Sequence, residues 1–448
     1  LTKDQVDDDP EQPNTLWQSA PAVRDFEPLL RVDWQSAFGL GTDTDLDVGA
    51  SWQFLDMFHI LPSFQFAPGA PESQILDLER HDLSFNTRLQ TLQQAFGLDQ
   101  EITAGSRLAY GDGETDFLIS PANSKARGPK ARVEEGEAWT LELFAEDRIA
   151  LRPDLHLVFG AQWAYARREA RTRQLDPTEP LGGGFNGEDD YSQFNPKLGF
   201  TWQAIPEAQL FGNFSRSFEP PTIIELADVQ GTDTLDAQRA WTAELGSRGR
   251  WGRLGWQLAG YYAWVDDEIL IVESPPGSGE FAVSNADDTV HAGIELGLDY
   301  TQPLGLLGSD RLDARVNYTF NAFRFDDDPS FGDNDLPGIP EHVLRAELAY
   351  RHASGFYLAP NIDVAAGDAF VDFANTLEND SYAIVNLRAG YDHPAGWSLF
   401  LEAENLADKN YASHTSVIAD ASASFGPPAV FNPGRPRSFF GGVEYRFR

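Results

Sequence analysis

The sequence predicts an all-β chain: a transmembrane antiparallel β-barrel of which about 17 of 22 strands are present. Three observations predict it. Apolar and polar side chains alternate along most of the chain, short turns alternate with long polar loops, and no apolar run is long enough for a spanning helix.

The alternation is strict. In Arg311–Phe320, Leu312, Ala314, Val316, Tyr318 and Phe320 share one face, while Arg311, Asp313, Arg315, Asn317 and Thr319 share the other. Leu155, Leu157, Phe159, Ala161, Trp163 and Tyr165 form a second apolar row, opposite His156, Gly160 and Gln162. Leu254, Trp256, Leu258, Tyr262 and Trp264 form a third. Such strands also build soluble sandwiches, propellers and β-helices. Soluble barrels, however, turn their apolar face inward. Here Arg315, Glu347, Glu402 and Glu404 stand on the polar face of regular strands, which suits a wet or plugged lumen.

Strands are expected to begin near Phe26, Leu46, Arg80, Leu98, Trp139, Leu155, Ser192, Ala208, Gln238, Leu254, Val290, Arg311, His342, Gly355, Tyr382, Trp397 and Arg435. Short connections at Leu151–Pro153, Ala204–Pro206, Arg250–Gly252, His352–Ser354 and Asp392–Gly396 mark one end of the strands. Long polar stretches read as loops at the other: Gly111–Gly136, Glu169–Tyr191, Glu219–Ala237, Asp266–Asp288, Asp326–Glu341, Gly367–Ser381 and Tyr411–Arg435. Short turns on one side and long loops on the other are the pattern of bacterial outer-membrane barrels.

Composition sets the exclusions. Seventy acidic residues against 33 basic ones give a net charge of −37, which argues against nucleic acid as a partner. With no cysteine, disulfides, thiol catalysis and Cys-ligated metals are excluded. The longest stretch without a charged side chain, Met57–Pro71, has 15 residues and three prolines, too short for a membrane helix. The chain opens Leu1-Thr2-Lys3-Asp4 without an apolar leader, so its address has to be read from the strands.

Seventeen strands is an odd number, whereas single-chain bacterial barrels have an even one with both termini in the periplasm. With the final strand Arg435–Phe447 descending, residues 1–25 fall in an extracellular loop and residues 26–448 form barrel. Five strands of a 22-stranded plugged barrel are then expected ahead of Leu1.

Several segments carry a family resemblance. Glu404-Asn405-Leu406-Ala407-Asp408-Lys409-Asn410-Tyr411-Ala412 and the run from Pro433-Gly434-Arg435 to Phe447 resemble the closing strands of TonB-dependent outer-membrane receptors. Phe194–Gly199, Phe214–Pro221, Leu235–Gly246 and Leu336–His342 are similar to that family's mid-barrel motifs. The opening through Leu16 is similar to an extracellular loop of the siderophore and ferric-citrate branch. The resemblance implies a monomeric receptor, not an enzyme, that imports a ferric siderophore or ferric citrate. TonB would pull a Ton box on an N-terminal plug, and neither the plug nor the box is recognisable in this sequence. Arg448 after Phe447 departs from the family's terminal aromatic. A passive outer-membrane pore, or a receptor for heme or another metal chelate, stays open as an alternative.

Candidate site residues are few. Arg168, Arg171 and Arg173 stand out at the top of an ascending strand, where guanidinium forks suit the carboxylates of an anionic chelate or the phosphates of lipopolysaccharide. Lys125, Arg127, Lys130 and Arg132 form a second basic stretch. The eight histidines are scattered, and none pairs at metal-ligand spacing. The loop Glu219–Ala237 holds no histidine, which lowers heme, and leaves His414 in the last loop to check. Asp326-Asp327-Asp328 with Asp333 and Asp335 offers oxygen ligands for Ca²⁺ or, more simply, solvated loop acidity. No cofactor is expected. Trp163, Tyr165, Tyr262, Trp264, Tyr318 and Tyr445 are expected to face lipid near its two interfaces.

Overall fold

A computed structural model describes residues 1–11, 24–26, 29–61, 72–121, 126–176, 186–227, 234–273, 281–424 and 426–446. Its main sheet has eighteen strands, one of them the three-residue Arg24–Phe26. The seventeen longer ones are Leu30–Gly39, Thr44–Leu61, Glu72–Ala95, Leu98–Pro121, Lys130–Arg152, Leu155–Gln174, Gly187–Ile205, Ala208–Glu219, Gln238–Trp251, Leu254–Asp266, Asp288–Pro303, Arg311–Phe325, His342–Arg351, Phe356–Ala366, Tyr382–Asp392, Trp397–Glu404 and Ser438–Tyr445. Each corresponds to one expected strand. Every pairing in this sheet is antiparallel, and each long strand pairs with the next along the chain.

The registers divide the side chains into two faces. Trp241, Ala243 and Leu245 stand opposite Trp264, Tyr262 and Gly260, which stand opposite Val290, Ala292 and Ile294. That apolar row continues through Phe320 and Tyr318 to Leu344. All six aromatics expected at the lipid interfaces lie on this face. Trp163 and Tyr165 stack with ring centroids 6.3 Å apart, and Tyr262 meets Trp264 at 4.6 Å. A second aromatic row, Trp202, Trp251, Trp256, Trp397 and Tyr445, runs on the same face beside the short turns.

The turns are built as the alternation requires. Between Ala95 and Leu98, Phe96 (φ 56°) and Gly97 (φ 79°) both take the left-handed conformation of a two-residue hairpin. The strand tops depart from expectation. Glu72–Ala95 begins eight residues ahead of the expected Arg80, Leu98–Pro121 and Lys130–Arg152 run far into the stretch 111–136 read as loop, and the Glu169–Tyr191 stretch is strand at both of its described ends. Above the membrane both faces are wet, so hydrogen bonding continues while the apolar alternation disappears. Asp56, Glu79, Glu114 and Glu135 face one another across four such strands.

The loops at this end have structure of their own. A short helix, Ile223–Ala227, follows Glu219, and a hairpin pairs Ile269–Glu273 with Phe281–Asn285. Another pairs Ala412–Thr415 with Phe431–Pro433. Helix Lys3–Asp8, capped by Thr2, buries Val6 with Val371, Ile418, Val430 and Phe431. Residues 12–23, Lys125, Phe447 and Arg448 lie outside the described residues.

Candidate functional site

The polar face is the one onto which the loops fold. It is crossed by ion pairs: Lys197 with Glu146 at 2.7 Å and Arg388 with Glu347 at 2.8 Å each span an intervening strand, Arg345 meets Asp363 on the adjacent strand at 3.1 Å, and Asp313 lies between Arg311 of its own strand and Arg351 of the next. Asn386 bridges Asn361 and Asp363, both at 2.9 Å.

Near the strand tops this face is roofed. Arg168 is buried, and its Nε donates to the carbonyl oxygen of Pro221 at 3.0 Å. Its Nη1 donates to the carbonyl oxygens of Trp139 at 2.8 Å and Arg167 at 3.1 Å. No carboxylate pairs with it among the described residues. The helix that follows Pro221 carries a reciprocal cap: Glu225 N–H donates to Thr222 Oγ1, and Thr222 N–H to Glu225 Oε2. Ile223 lies against Gly136, where an added Cβ would stand 2.5 Å from its Cγ2. Leu226 is fully buried with Leu235 and Val283, and Ile269 packs on them, so helix and hairpin share one small core.

A second contact ties the hairpin to the wall. Glu268 Oε2 accepts from the Thr289 hydroxyl and lies 3.1 Å from His291 Nε2, and the His291 ring stacks on Phe323 at 4.3 Å. Below, a cavity of about 110 Å³ is lined by Asn321, Phe323, Asp335, Glu341, Asp368 and Phe370 among others. Burial raises the Asp335 carboxyl above the usual range, as do Asp368 and Glu341, against the pull of Arg324. Asp267 is raised likewise by burial and by Asp236, with Arg239 opposing.

The period of two splits the three candidate arginines. Arg168 points to the polar face, whereas Arg171 and Arg173 continue the row of Trp163, Tyr165 and Arg167 on the other. Arg171 pairs with Glu169, and Arg173 is exposed. The described members of the second basic stretch also have partners: Arg127 with Asp77 at 2.9 Å, Lys130 with Asp116, and Arg132 with Glu134 at 3.0 Å. His414 is exposed and lines a small surface cavity with Gly338 and Ser381. In the acidic run, Asp328 Oδ1 accepts from the N–H groups of Ser330 and Phe331, while Asp326 and Asp333 both accept from Arg324. Among the described residues no three His, Asp or Glu side chains are placed to hold a metal ion.

One residue that the family resemblance flagged proves to be structural. Asn405, at φ 49°, is buried; its N–H donates to Asn386 Oδ1, and its Nδ2 donates to the carbonyl oxygens of Lys409 and Arg435. Its Oδ1 accepts from the Lys409 N–H. It pins the last long loop to the barrel wall.

An antiparallel sheet with an apolar outer face bounded by aromatic rows, a polar inner face and inward-folded loops defines an outer-membrane β-barrel of the receptor type. A family model described as "TonB dependent receptor-like, beta-barrel" matches residues 4–406, and the chain belongs to that family. The family consists of transport receptors, and its barrels lie in the outer membrane of Gram-negative bacteria, as this one does. The chain is 25% identical over 236 residues to the vitamin B12 transporter BtuB of Photobacterium profundum, covering 50% of this chain and 36% of that protein. It is 24% identical over 290 residues to the metal-pseudopaline receptor CntO of Pseudomonas aeruginosa, covering 62% and 38%. The unliganded ferric citrate transporter FecA superposes with a TM-score of 0.74 at 14% identity, over 93% of this chain and 61% of that one. The chain thus spans well under half the length of these two curated relatives.

Proposed function

We propose that this barrel belongs to an active importer of a metal chelate, a ferric siderophore or ferric citrate, energised through TonB in the full-length receptor. The observation that carries the reading is the roof: Ile223–Ala227 and the 269–285 hairpin fold onto the polar face around one core instead of leaving the mouth clear. Among the described residues, strands Leu30–Gly39 and Ser438–Tyr445 each pair on one side only, so five further strands, preceded by a plug, would close the wall between them. Residues 1–25 would then belong to an extracellular loop and 26–448 to the barrel domain of a monomeric receptor.

Of the three arginines, Arg168 supports the roof under which a chelate would sit. Arg171 and Arg173, on the outward face, suit lipopolysaccharide phosphates better than an imported chelate. A receptor for a different metal chelate is the second reading, favoured by the acidity of the mouth. Asp236, Asp267, Asp335 and Asp368 suit a complex of neutral or positive charge better than an anionic one.

Deletion and restoration of the full-length gene, followed by growth on a panel of ferric siderophores, ferric citrate and other metal chelates under metal limitation, tests both. Loss of growth on one chelate, restored only when TonB is present, is the expected result. Unchanged growth on the whole panel, or uptake without TonB, overturns active import and favours a passive pore.

A further inference from the structure

Among the described residues, the lipid-facing surface between the two aromatic rows is uncharged on every strand but one. On Lys130–Arg152 the outward side chains, read downward from Trp139, are Leu141, Leu143, Ala145, Asp147, Ile149 and Leu151. The register confirms the side: Asp147 stands opposite Ile102 on one neighbouring strand and Phe159 on the other. Arg148, the next residue, points into the lumen and pairs with Glu101 at 3.5 Å. Among the described residues, Asp147 is the one ionisable side chain on the outward face between the rows. Its Oδ1 is enclosed with no hydrogen-bond partner.

Depth narrows what can approach it. Asp147 lies eight positions below Trp139 and four above Leu151. At roughly 3.3 Å per residue and a tilt of about 45°, it sits roughly 19 Å below the upper aromatic row and 9 Å above the short turns. That depth belongs to the periplasmic leaflet, within reach of a headgroup drawn slightly inward. Immediately above it, Ala104, Ala145 and Ala161 are aligned on three adjacent strands, a shallow furrow between Leu143, Phe159 and Ile102. An acyl chain fits that furrow. A carboxylate in this setting is unfavourable unless a cation with N–H donors meets it.

We infer that Asp147 and the alanine furrow form a binding site for a periplasmic-leaflet phospholipid bearing a primary ammonium headgroup, with the ammonium on the Asp147 carboxylate. The inference rests on the lipid-facing register and is independent of the imported cargo.

The test uses the full-length receptor, its Asp147→Asn and Asp147→Leu variants, and native mass spectrometry with phosphatidylethanolamine or phosphatidylglycerol added in mild detergent. The wild type is expected to retain one phosphatidylethanolamine about tenfold more tightly than Asp147→Asn, as the loss of one charge-assisted hydrogen-bonded contact predicts. Phosphatidylglycerol retention should not distinguish the two proteins. In nanodiscs, Asp147→Leu should gain less thermal stability in phosphatidylethanolamine than in phosphatidylglycerol. Equal phosphatidylethanolamine retention by wild type and Asp147→Asn overturns the site. So does an equal Asp147→Leu gain in both lipids, or a protonated-carboxyl infrared band in phosphatidylethanolamine bilayers that disappears in Asp147→Asn. Capture of a neighbouring protein, instead of lipid, by a photo-crosslinker at position 147 in cells overturns it as well.

Discussion

Arg168 Nε donates to the carbonyl oxygen of Pro221 at 3.0 Å, joining a barrel strand to a loop 53 positions away. Among the described residues the guanidinium has no carboxylate partner; it is held by backbone carbonyls and the Thr140 hydroxyl. Its charge is therefore spent on fixing the roof.

Replacing Arg168 with Met should release the segment Pro220–Ala227 while leaving the strands intact. Hydrogen bonds from a charged donor contribute about 1.5–3 kcal/mol each, so the local opening free energy of the helix should fall by about 2–3 kcal/mol. Hydrogen exchange at Ile223–Ala227 measures this; unchanged protection refutes the clamp. Arg171→Ala with Arg173→Ala should leave that protection as it was, because the exposed Arg171–Glu169 pair contributes about 0–1 kcal/mol.

Asn405→Ala should be among the most damaging single changes in the last third of the chain. It strips the partners from the Lys409 N–H and from the Lys409 and Arg435 carbonyls, and it places a Cβ-bearing residue with no local hydrogen bond at φ 49°. A loss of about 2–4 kcal/mol is expected. Heat-modifiable gel mobility against temperature reports it, and a variant melting within a degree of wild type would rule it out.

The last loop should loosen in acid. The Arg437 guanidinium, and then the Arg437 backbone N–H, hold the Asp408 carboxyl below its ordinary range. A depressed folded value means that the contribution is complete above the unfolded carboxylate pKa and is lost as pH falls through the folded one. Protection of 405–410 should therefore drop as the solution passes below the usual aspartate range. Asp408→Asn should remove that pH dependence, and persistence of the drop in this variant would place its origin elsewhere.

Trp163 and Trp264 should lie close to the headgroups. Each stands on the outward face beside a tyrosine, and the Tyr165 hydroxyl reaches up to Asp190 at 2.8 Å, as expected of an amphipathic ring at a boundary. In single-tryptophan variants, lipids brominated near the glycerol end of the chain should quench both more strongly than lipids brominated near the methyl end. The reverse order would move the bilayer relative to the barrel.

Much of the architecture was legible because lipid imposes a chemical rule on every second residue. Leu254–Trp264 and Arg311–Phe320 obey it and begin where the sequence places them. The rule lapses where both faces are hydrated. Glu134–Gly136 and Gly111–Asp116 are paired strand residues whose charges gave them the look of loop. The arginine run divides for a related reason: its strand separates even from odd positions, so Arg168 lies on one face and Arg171 and Arg173 on the other. The partners of Arg168 and Asn405 were out of reach, since Pro221 and Arg435 are distant in sequence and contribute only backbone carbonyls.

The nearest-neighbour order of the long strands bears on how such a wall comes into being. Among the described residues, the long strands pair with one another only as neighbours along the chain, so the sheet can lengthen by successive hairpins. Each addition closes a short stretch of polypeptide, and the entropy lost per step stays small. The exposed rim of the growing sheet serves as template for the next strand. Contacts between distant parts of the chain, such as that of Leu1 and Val6 with Phe431, then settle on a wall that local pairing has already built.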